Sequence, residues 1–323
     1  MAFLRHPLVI GVLSLIGLVL LSGWYLDDEP EFQQLSQSAA TTERPVVGSA
    51  TTEMLIKTAE TLLEKRGGYM SNDIMPPMVM MDNVPNWEFG VLQQVRDLVK
   101  AMRNDYSRSQ TQSLADADLE IAEPKFNVDS DAWMFPSAEG EYAEGIKALR
   151  KYEKRLRDPK QQNAQFYARA DNLREWLGLV EKRLGSLSQR LSQARPQVRV
   201  NTDLAGDAQA QQSTSTANEV LAKASWFEID DNFYEARGTA WALIHYLRAA
   251  EIDFRPVLED KNAIPTLRQI IRELESTQQE VDSPMILNGS GMGMFANHSL
   301  VMSSYIGRAN SAIADLRRLL ADG

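Results

Sequence analysis

The most apolar stretch of the chain lies at its N-terminus, where residues 7–26 contain no charged side chain. Twenty residues in a helix rise about 30 Å, which matches the hydrocarbon thickness of a bilayer. Arg5 precedes the stretch, and Asp27, Asp28 and Glu29 follow it. The positive-inside rule then places the N-terminus in the cytoplasm. The pattern predicts a cytoplasmic stub and transmembrane anchor over residues 1–26, with the bulk of the chain outside the membrane.

A cleaved signal peptide is the alternative interpretation of this stretch. Its apolar region would be shorter, and the sequence has no A-x-A cleavage site before Trp24. An uncleaved anchor is therefore favoured. Residues 27–50 are rich in Gln, Ser and Thr, and this composition predicts a flexible tether between the anchor and the remainder.

The most regular apolar pattern covers residues 166–191, where apolar side chains recur at alternating spacings of four and three. This heptad spacing is typical of a helix that packs along a seam. A similar rhythm runs from Gly145 to Leu156, and Asp158-Pro159 separates the two segments. The pattern predicts a long antiparallel helical hairpin over residues 137–195. The 166–191 seam could contact a partner, including a second copy of the chain, or be buried within one bundle, and both alternatives stay open.

Other segments also have apolar residues at helical spacing, whereas alternating β-branched runs are short throughout the chain. Residues 107–135 are polar and predicted to be irregular, and residues 196–218 are predicted to form a disordered insert. The predicted fold is all-α, an elongated bundle over residues 51–323. The further helical stripes are Met54–Leu63, Val91–Met102, Ala236–Val257, Leu267–Leu274 and Met302–Leu320.

Composition narrows the classes of function. The 323-residue chain has a formal net charge of −10, which disfavours a nucleic-acid partner because such partners require a basic surface. It contains no cysteine, so disulfides, thiol nucleophiles and cysteine-ligated metals are excluded. No cofactor is predicted.

The titratable residues do not form a recognisable catalytic pattern. His298 and Ser299 are adjacent, so on a helix they point about 100° apart and do not form a nucleophile–base pair. The acidic cluster Glu228, Asp230, Asp231 and Glu235 is interpreted as the negative residues that favour a helix N-terminus, with a metal site as the alternative.

Two further chemical hypotheses remain as alternatives. Met75, Met78, Met80 and Met81 form a methionine-rich run, and thioethers are soft ligands suited to Cu(I). Glu275 lies ahead of a Gly- and Met-rich stretch, a weak likeness to cell-wall glycan-cleaving enzymes that use one Glu as general acid and base.

The strongest candidate for a site lies in residues 283–310, where a glycine-rich loop precedes the last helix. Glycines allow close approach of a partner's backbone, and the Asn and Ser side chains supply donors and acceptors. A purely structural loop that caps the helix is the alternative. The candidate partner surface consists of Asn288, Gly289, Ser290, Gly291, Asn297, His298, Ser299 and Arg308.

Four separate blocks of sequence are similar to those of domain-of-unknown-function family 2333. The blocks are GGYMSND (67–73), PNWEFGVLQQVRD (85–97), FYEARGTAWAL (233–243) and SPMILNGSGMGMFANHSLVMSSYIGRAN (283–310). The resemblance implies a helical envelope protein of a Gram-negative bacterium, anchored in the inner membrane with its bulk in the periplasm. It implies no activity and no functional residue. The sequence as a whole predicts a non-catalytic interaction or scaffolding protein whose partners are the membrane and other envelope proteins.

Overall fold

The computed structural model describes residues 7–26, 29–35, 46–109, 114–161, 163–200, 219–283, 285–290 and 294–321. The fold is 68% helix and 3% strand, which confirms the predicted all-α class. The helices are α1 Pro7–Leu26, α2 Ser49–Glu64, α3 Asn83–Ala101, α4 Ala117–Phe126, α5 Ala138–Arg157, α6 Ala170–Ser192, α7 Ile229–Asp253, α8 Arg255–Asp260, α9 Ile264–Ser276 and α10 His298–Ala321. Two short strands, β1 Gln197–Val200 and β2 Glu219–Ala222, pair antiparallel.

Helix α7 is the centre of the bundle, with α2, α3, α9, α6 and α10 packed around it. Its buried residues lie on all sides of the helix, as its sequence pattern predicts for a central element. The closest contact is with α3, where Gly90 and Gly238 remove side chains from the crossing point and Trp87 lies 5.1 Å from Trp241 between ring centroids. The two backbones therefore touch there.

The predicted 137–195 hairpin is wrong. Its two helices exist as α5 and α6, but in the described part of the chain α5 packs on α4 and α2, whereas α6 packs along α10. The reason is that α10 offers an apolar face of matching length, from Met302 to Leu320, against the α6 seam. A turn at Asp158–Gln161, in which Gln161 N donates to Asp158 O at 3.0 Å, ends α5, and residues 163–169 then form a non-helical segment that lets α6 leave α5.

The 166–191 seam is used inside the chain. Leu173, Leu177, Val180, Leu184, Leu187 and Leu191 are all buried in the core. These side chains therefore offer no exposed apolar stripe to a second copy.

Part of the predicted tether is packed on the bundle. Gln33 N donates to His245 Nε2 at 2.8 Å, Phe32 lies 5.5 Å from the His245 ring, and Glu29 forms an ion pair with Arg237. The prediction of a flexible tether is wrong for residues 29–35, because these side chains find partners along α7. Residues 36–45 lie outside the described ranges.

The N-terminus of α2 is held by a buried carboxylate at the end of α7. Gly48 N donates to Asp253 Oδ1 at 2.9 Å, and Thr51 N donates to Oδ2 at 2.7 Å. The carboxylate satisfies backbone donors that a helix start leaves unpaired. Burial raises the pKa of Asp253 despite these donors.

Two segments that the sequence predicts to be irregular contain regular structure. Residues 197–200 of the predicted disordered insert form β1, while residues 201–218 lie outside the description. Residues 117–126 form α4, whose Leu119, Ala122 and Phe126 are buried. The apolar spacing of α4 is too short to be conspicuous in a polar segment.

Helix α1 presents exposed apolar side chains around its whole circumference. The exposed positions Ile10, Val12, Leu13, Leu15, Ile16, Leu18 and Leu21 face every direction when each residue turns the helix by about 100°. Among the residues that the structure describes, no helix is long and apolar enough to cross a membrane.

Candidate functional site

The loop before α10 is closed by backbone and side-chain hydrogen bonds. Asn288 and Asn297 form an isolated β-bridge, Gly289 N donates to Ala296 O at 2.8 Å, and His298 N donates to Leu287 O at 2.9 Å. Asn297 then caps the helix, because Leu300 N donates to its Oδ1 at 2.9 Å. The loop therefore has a structural role as the cap of α10, which begins at His298.

Gly289 lies where no side chain fits. A Cβ atom at this position would be 2.0 Å from Phe295 O. The glycine is therefore required by the closure of the loop itself. Gly291, another predicted site residue, lies outside the described residues, and Ser290 contributes its carbonyl oxygen to Arg195 Nη1.

His298 is half-buried at the start of α10. Leu287 N donates to its Nδ1 at 3.1 Å, so in the neutral ring the proton is on Nε2. Burial lowers the pKa of His298, which favours this neutral form. The imidazole is thus held as a donor at Nε2 and not as a cation.

A cavity of about 370 Å³ lies beside this histidine, between α7, α10 and the segment that follows α9. Its floor includes Phe233, Met302 and Tyr305, and its rim includes the acidic side chains Glu280 and Asp282. The cavity therefore combines aromatic and apolar walls with a neutral donor and a negative edge. A small side chain or chemical group fits these properties if its body is apolar and its end carries a hydrogen-bond donor or a positive charge.

Arg237 lines the cavity but is fully engaged. Its Nε and Nη2 contact the two carboxylate oxygens of Glu29 at 2.7 Å each, and its Nη1 donates to Thr277 O and Gln279 O. The bidentate pair neutralises the guanidinium and holds the segment after α1 against the cavity wall. Arg237 is therefore a structural part of the wall.

The comparison with known protein families identifies the family of this chain. Over residues 3–323 the chain matches the family described as "Uncharacterized protein conserved in bacteria (DUF2333)". The chain belongs to this family. No curated protein and no solved structure matches it. The resemblance that four sequence blocks indicated is confirmed at the level of the family, and the match carries no statement about activity or membrane location.

Two buried polar atoms of the DUF2333 member lack partners in the loop region. Asn288 Oδ1 and Ser299 Oγ are buried and make no hydrogen bond among the described residues. Both residues belong to the predicted partner surface.

Arg308, another residue of the predicted partner surface, has contacts within the chain. Its Nε contacts Glu273 Oε2 at 2.8 Å, and its guanidinium lies 4.7 Å from the centroid of the Tyr305 ring. The residue already has an acidic partner on α9 within the chain. This pairing arises because α9 packs against α10 and brings Glu273 within reach, and the place of Arg308 in the predicted partner surface stays a prediction.

The acidic cluster at the start of α7 is divided among separate partners. Glu235 accepts from Arg190, Asp231 accepts from Asn86 at 2.6 Å, and Glu228 closes a capping box with Ser225. Desolvation, together with Asp230, Asp82 and Glu228, raises the pKa of Asp231 to about 6. No group of three metal-binding side chains occurs in the described ranges.

The two alternative chemistries gain no support from geometry. Glu275 is partly exposed on α9 and pairs with Arg248 Nη2 at 2.6 Å, which differs from the apolar pocket that a general acid requires. In the methionine-rich run, Met75 and Met80 are exposed, whereas the nearby Met70 is buried in the core. Tyr305, Phe233 and Arg237 do not stand out in the sequence as cavity residues, because α10 and α7 bring them together only in the fold.

Proposed function

We propose that this protein is a non-catalytic interaction protein of the bacterial envelope, anchored in the inner membrane by α1. The partner site in this proposal is the cavity beside His298, with residues 285–290 and 294–297 of the preceding loop next to it. The observation that carries the proposal is the cavity itself. It is preformed, its histidine is held neutral, and its arginine is already paired with Glu29.

The anchor is supported by the full sequence of α1. Twenty residues without a charge form one helix, and the described apolar side chains point outward in all directions. A helix that is apolar on all sides requires an apolar environment, and the bundle does not cover it. A bilayer supplies this environment at the required thickness of about 30 Å.

The proposed location predicts a result for reporter fusions. Alkaline phosphatase fused after Gly323 is expected to be active in cells, because residues 29–323 would be periplasmic. A fluorescent protein that matures only in the cytoplasm is expected to stay dark at the same position. The reverse pattern for the two fusions would place the bundle in the cytoplasm and overturn the orientation.

The partner site predicts position-specific crosslinking in cells. A photo-crosslinking amino acid at Val301, which lines the cavity and is 53% exposed, is expected to capture a discrete set of envelope proteins. The matched control is Ile121, which is 51% exposed and apolar but lies on α4, a helix that packs mainly on α5 and α3 and does not line the cavity. Truncating Tyr305 to alanine alongside the Val301 crosslinker is expected to abolish capture, because the cavity loses its aromatic wall.

The melting temperature of the Tyr305→Ala variant distinguishes binding from folding. An unchanged melt with lost capture supports the cavity as the partner site. Identical proteins captured from Val301 and Ile121, or capture that survives Tyr305→Ala, would remove the cavity from the proposal.

A further inference from the structure

Several helix ends meet at one end of the bundle. Asn86 near the start of α3 contacts Asp231 near the start of α7, and Phe233 on α7 lies 6.4 Å from His298 at the start of α10. The loop after α2 joins this end, because Glu88 on α3 accepts from Met70 N at 2.8 Å. The opposite end holds Asp253 and the start of α2.

Helix α1 departs from the same end. Tyr25 lies under the Arg66 guanidinium at 5.2 Å, and Leu26 Cδ2 would lie 3.1 Å from a Cβ atom placed on Gly67. A Cβ atom placed on Gly23 would be 3.9 Å from Pro77 Cβ, so the methionine-rich loop is beside the last turn of α1. We name this face of the molecule, formed by residues 74–81 and 133–135, the α1-proximal surface.

The α1-proximal surface is apolar and exposed. Met80 is 74% exposed and Phe135 is 93% exposed, and large apolar neighbours in both loops are also exposed. The two loops are adjacent, because Asn72 Nδ2 donates to Ala132 O at 2.8 Å just before each apolar segment begins. The exposed apolar side chains of this surface include Ile74, Met75, Val79, Met80, Trp133 and Phe135.

The charges in these loops exclude electrostatic attraction to acidic lipids as the main driving force for membrane binding. Residues 71–82 and 129–136 contain four Asp and no Lys or Arg. Binding by these loops would therefore rest on burial of apolar area, in which Trp, Phe and Met side chains enter the boundary between headgroups and acyl chains.

We propose that the α1-proximal surface is a second membrane contact, with the two loops inserted into the outer boundary of the bilayer that α1 crosses. This inference rests on the proposed anchoring by α1 and adds a fixed orientation of the bundle. With two loops and one helix end held at the bilayer, the bundle stands on the membrane with its cavity end toward the surface. A partner at the cavity would then be a membrane protein or a segment close to the bilayer.

The absence of native cysteine allows a direct test with single labels. The full chain is placed in nanodiscs at one copy per disc, in phosphatidylcholine alone and in a mixture of phosphatidylethanolamine and phosphatidylglycerol. An environment-sensitive fluorophore is attached to Met80→Cys or Phe135→Cys, and its depth is measured by quenching with brominated lipids. The controls are Leu15→Cys on α1 and Leu114→Cys, which is 94% exposed in the described chain.

Leu114 is a suitable aqueous control because it lies at the other end of α5. Asp116 pairs with Arg155 near the C-terminus of α5, whereas Phe135 lies just before its N-terminus. The 18 residues from Ala138 to Arg155 span about 26 Å of helix. A label at Leu114 should therefore remain in water when a label at Phe135 is in lipid.

We expect labels at Met80 and Phe135 to lie about 5–10 Å below the headgroup level, in both lipid compositions. The Leu15 label is expected at greater depth, and the Leu114 label in water. Aqueous labels at Met80 and Phe135 with a buried Leu15 label would overturn the second contact and leave the anchor intact. An aqueous Leu15 label would overturn the anchor itself. If the Met80 label is shielded from water only when a disc holds two copies, the surface contacts a second copy of the chain. This result would also overturn the inference.

Discussion

Replacing Gly238 with alanine is expected to lower the free energy of unfolding by about 3 kcal/mol or more. The added Cβ atom would lie 2.0 Å from Trp87 O, which is a backbone atom that cannot rotate away. Gly90 faces the same crossing from the other helix, with its own added Cβ 2.2 Å from Glu235 O. Neither helix can accept a side chain at this point unless α3 and α7 separate.

The control for this prediction is the same substitution in another buried helix. Gly185 on α6 would place a Cβ atom 3.5 Å from Asn310 Nδ2, which is an ordinary contact. Gly185→Ala is therefore expected to be neutral or stabilising by up to about 1 kcal/mol through helix propensity. Both variants are made in the full chain and compared with the unsubstituted protein in mild detergent. Their free energies of unfolding are measured by denaturant titration, followed by the helical circular dichroism signal. Equal stabilities for Gly238→Ala and the parent would mean that the helices are not in backbone contact.

The positions of most helices are predictable from the sequence, because an apolar stripe at helical spacing requires only local information. The sequence of α7 also indicates a central position, because its apolar residues lie on more than one side of the helix. The partner of each stripe is not predictable in this way. The α6 seam fits any apolar face of equal length. Whether it packs on α10 or on α5 depends on the segments that connect the helices and on how all the apolar faces of the chain are paired.

The candidate site was predictable only in part, for a similar reason. The spacing of Asn297, His298 and Ser299 indicates a helix start, and Asn297 is the cap. Arg308, by contrast, looked free because Glu273 lies 35 residues away in sequence and is adjacent only after α9 packs on α10. The cavity combines residues from α7, α10 and the segment after α9, and no local pattern links them.

Truncation of Glu88 to alanine is expected to cost about 3–5 kcal/mol of unfolding free energy. The carboxylate is buried, and Lys65 Nζ lies 2.6 Å from its Oε1 with only 4% of the lysine side chain exposed. Met70 N and Ser71 N each donate to the same carboxylate at 2.8 Å. The alanine variant leaves a buried ammonium and two backbone donors without their acceptor.

The double variant Glu88→Leu with Lys65→Met separates charge from packing. The double variant removes both charges and keeps a similar side-chain volume. It is therefore expected to recover a large part of the unfolding free energy that Glu88→Ala loses. The surface pair Arg268–Glu251 is the control for an ordinary ion pair, and Glu251→Ala is expected to cost less than about 1 kcal/mol. These values are measured by denaturant titration at pH 7.

The consequence of losing Glu88 should extend to the α1-proximal surface. The turn that Glu88 holds contains Gly67, which contacts Leu26 at the end of α1, and it continues into the methionine-rich loop. In nanodiscs, Glu88→Ala is therefore expected to shift a Met80 label toward water while the Leu15 label keeps its depth. A Met80 depth that is unaffected by Glu88→Ala would show that the loop is positioned by the bilayer alone and not by the buried ion pair.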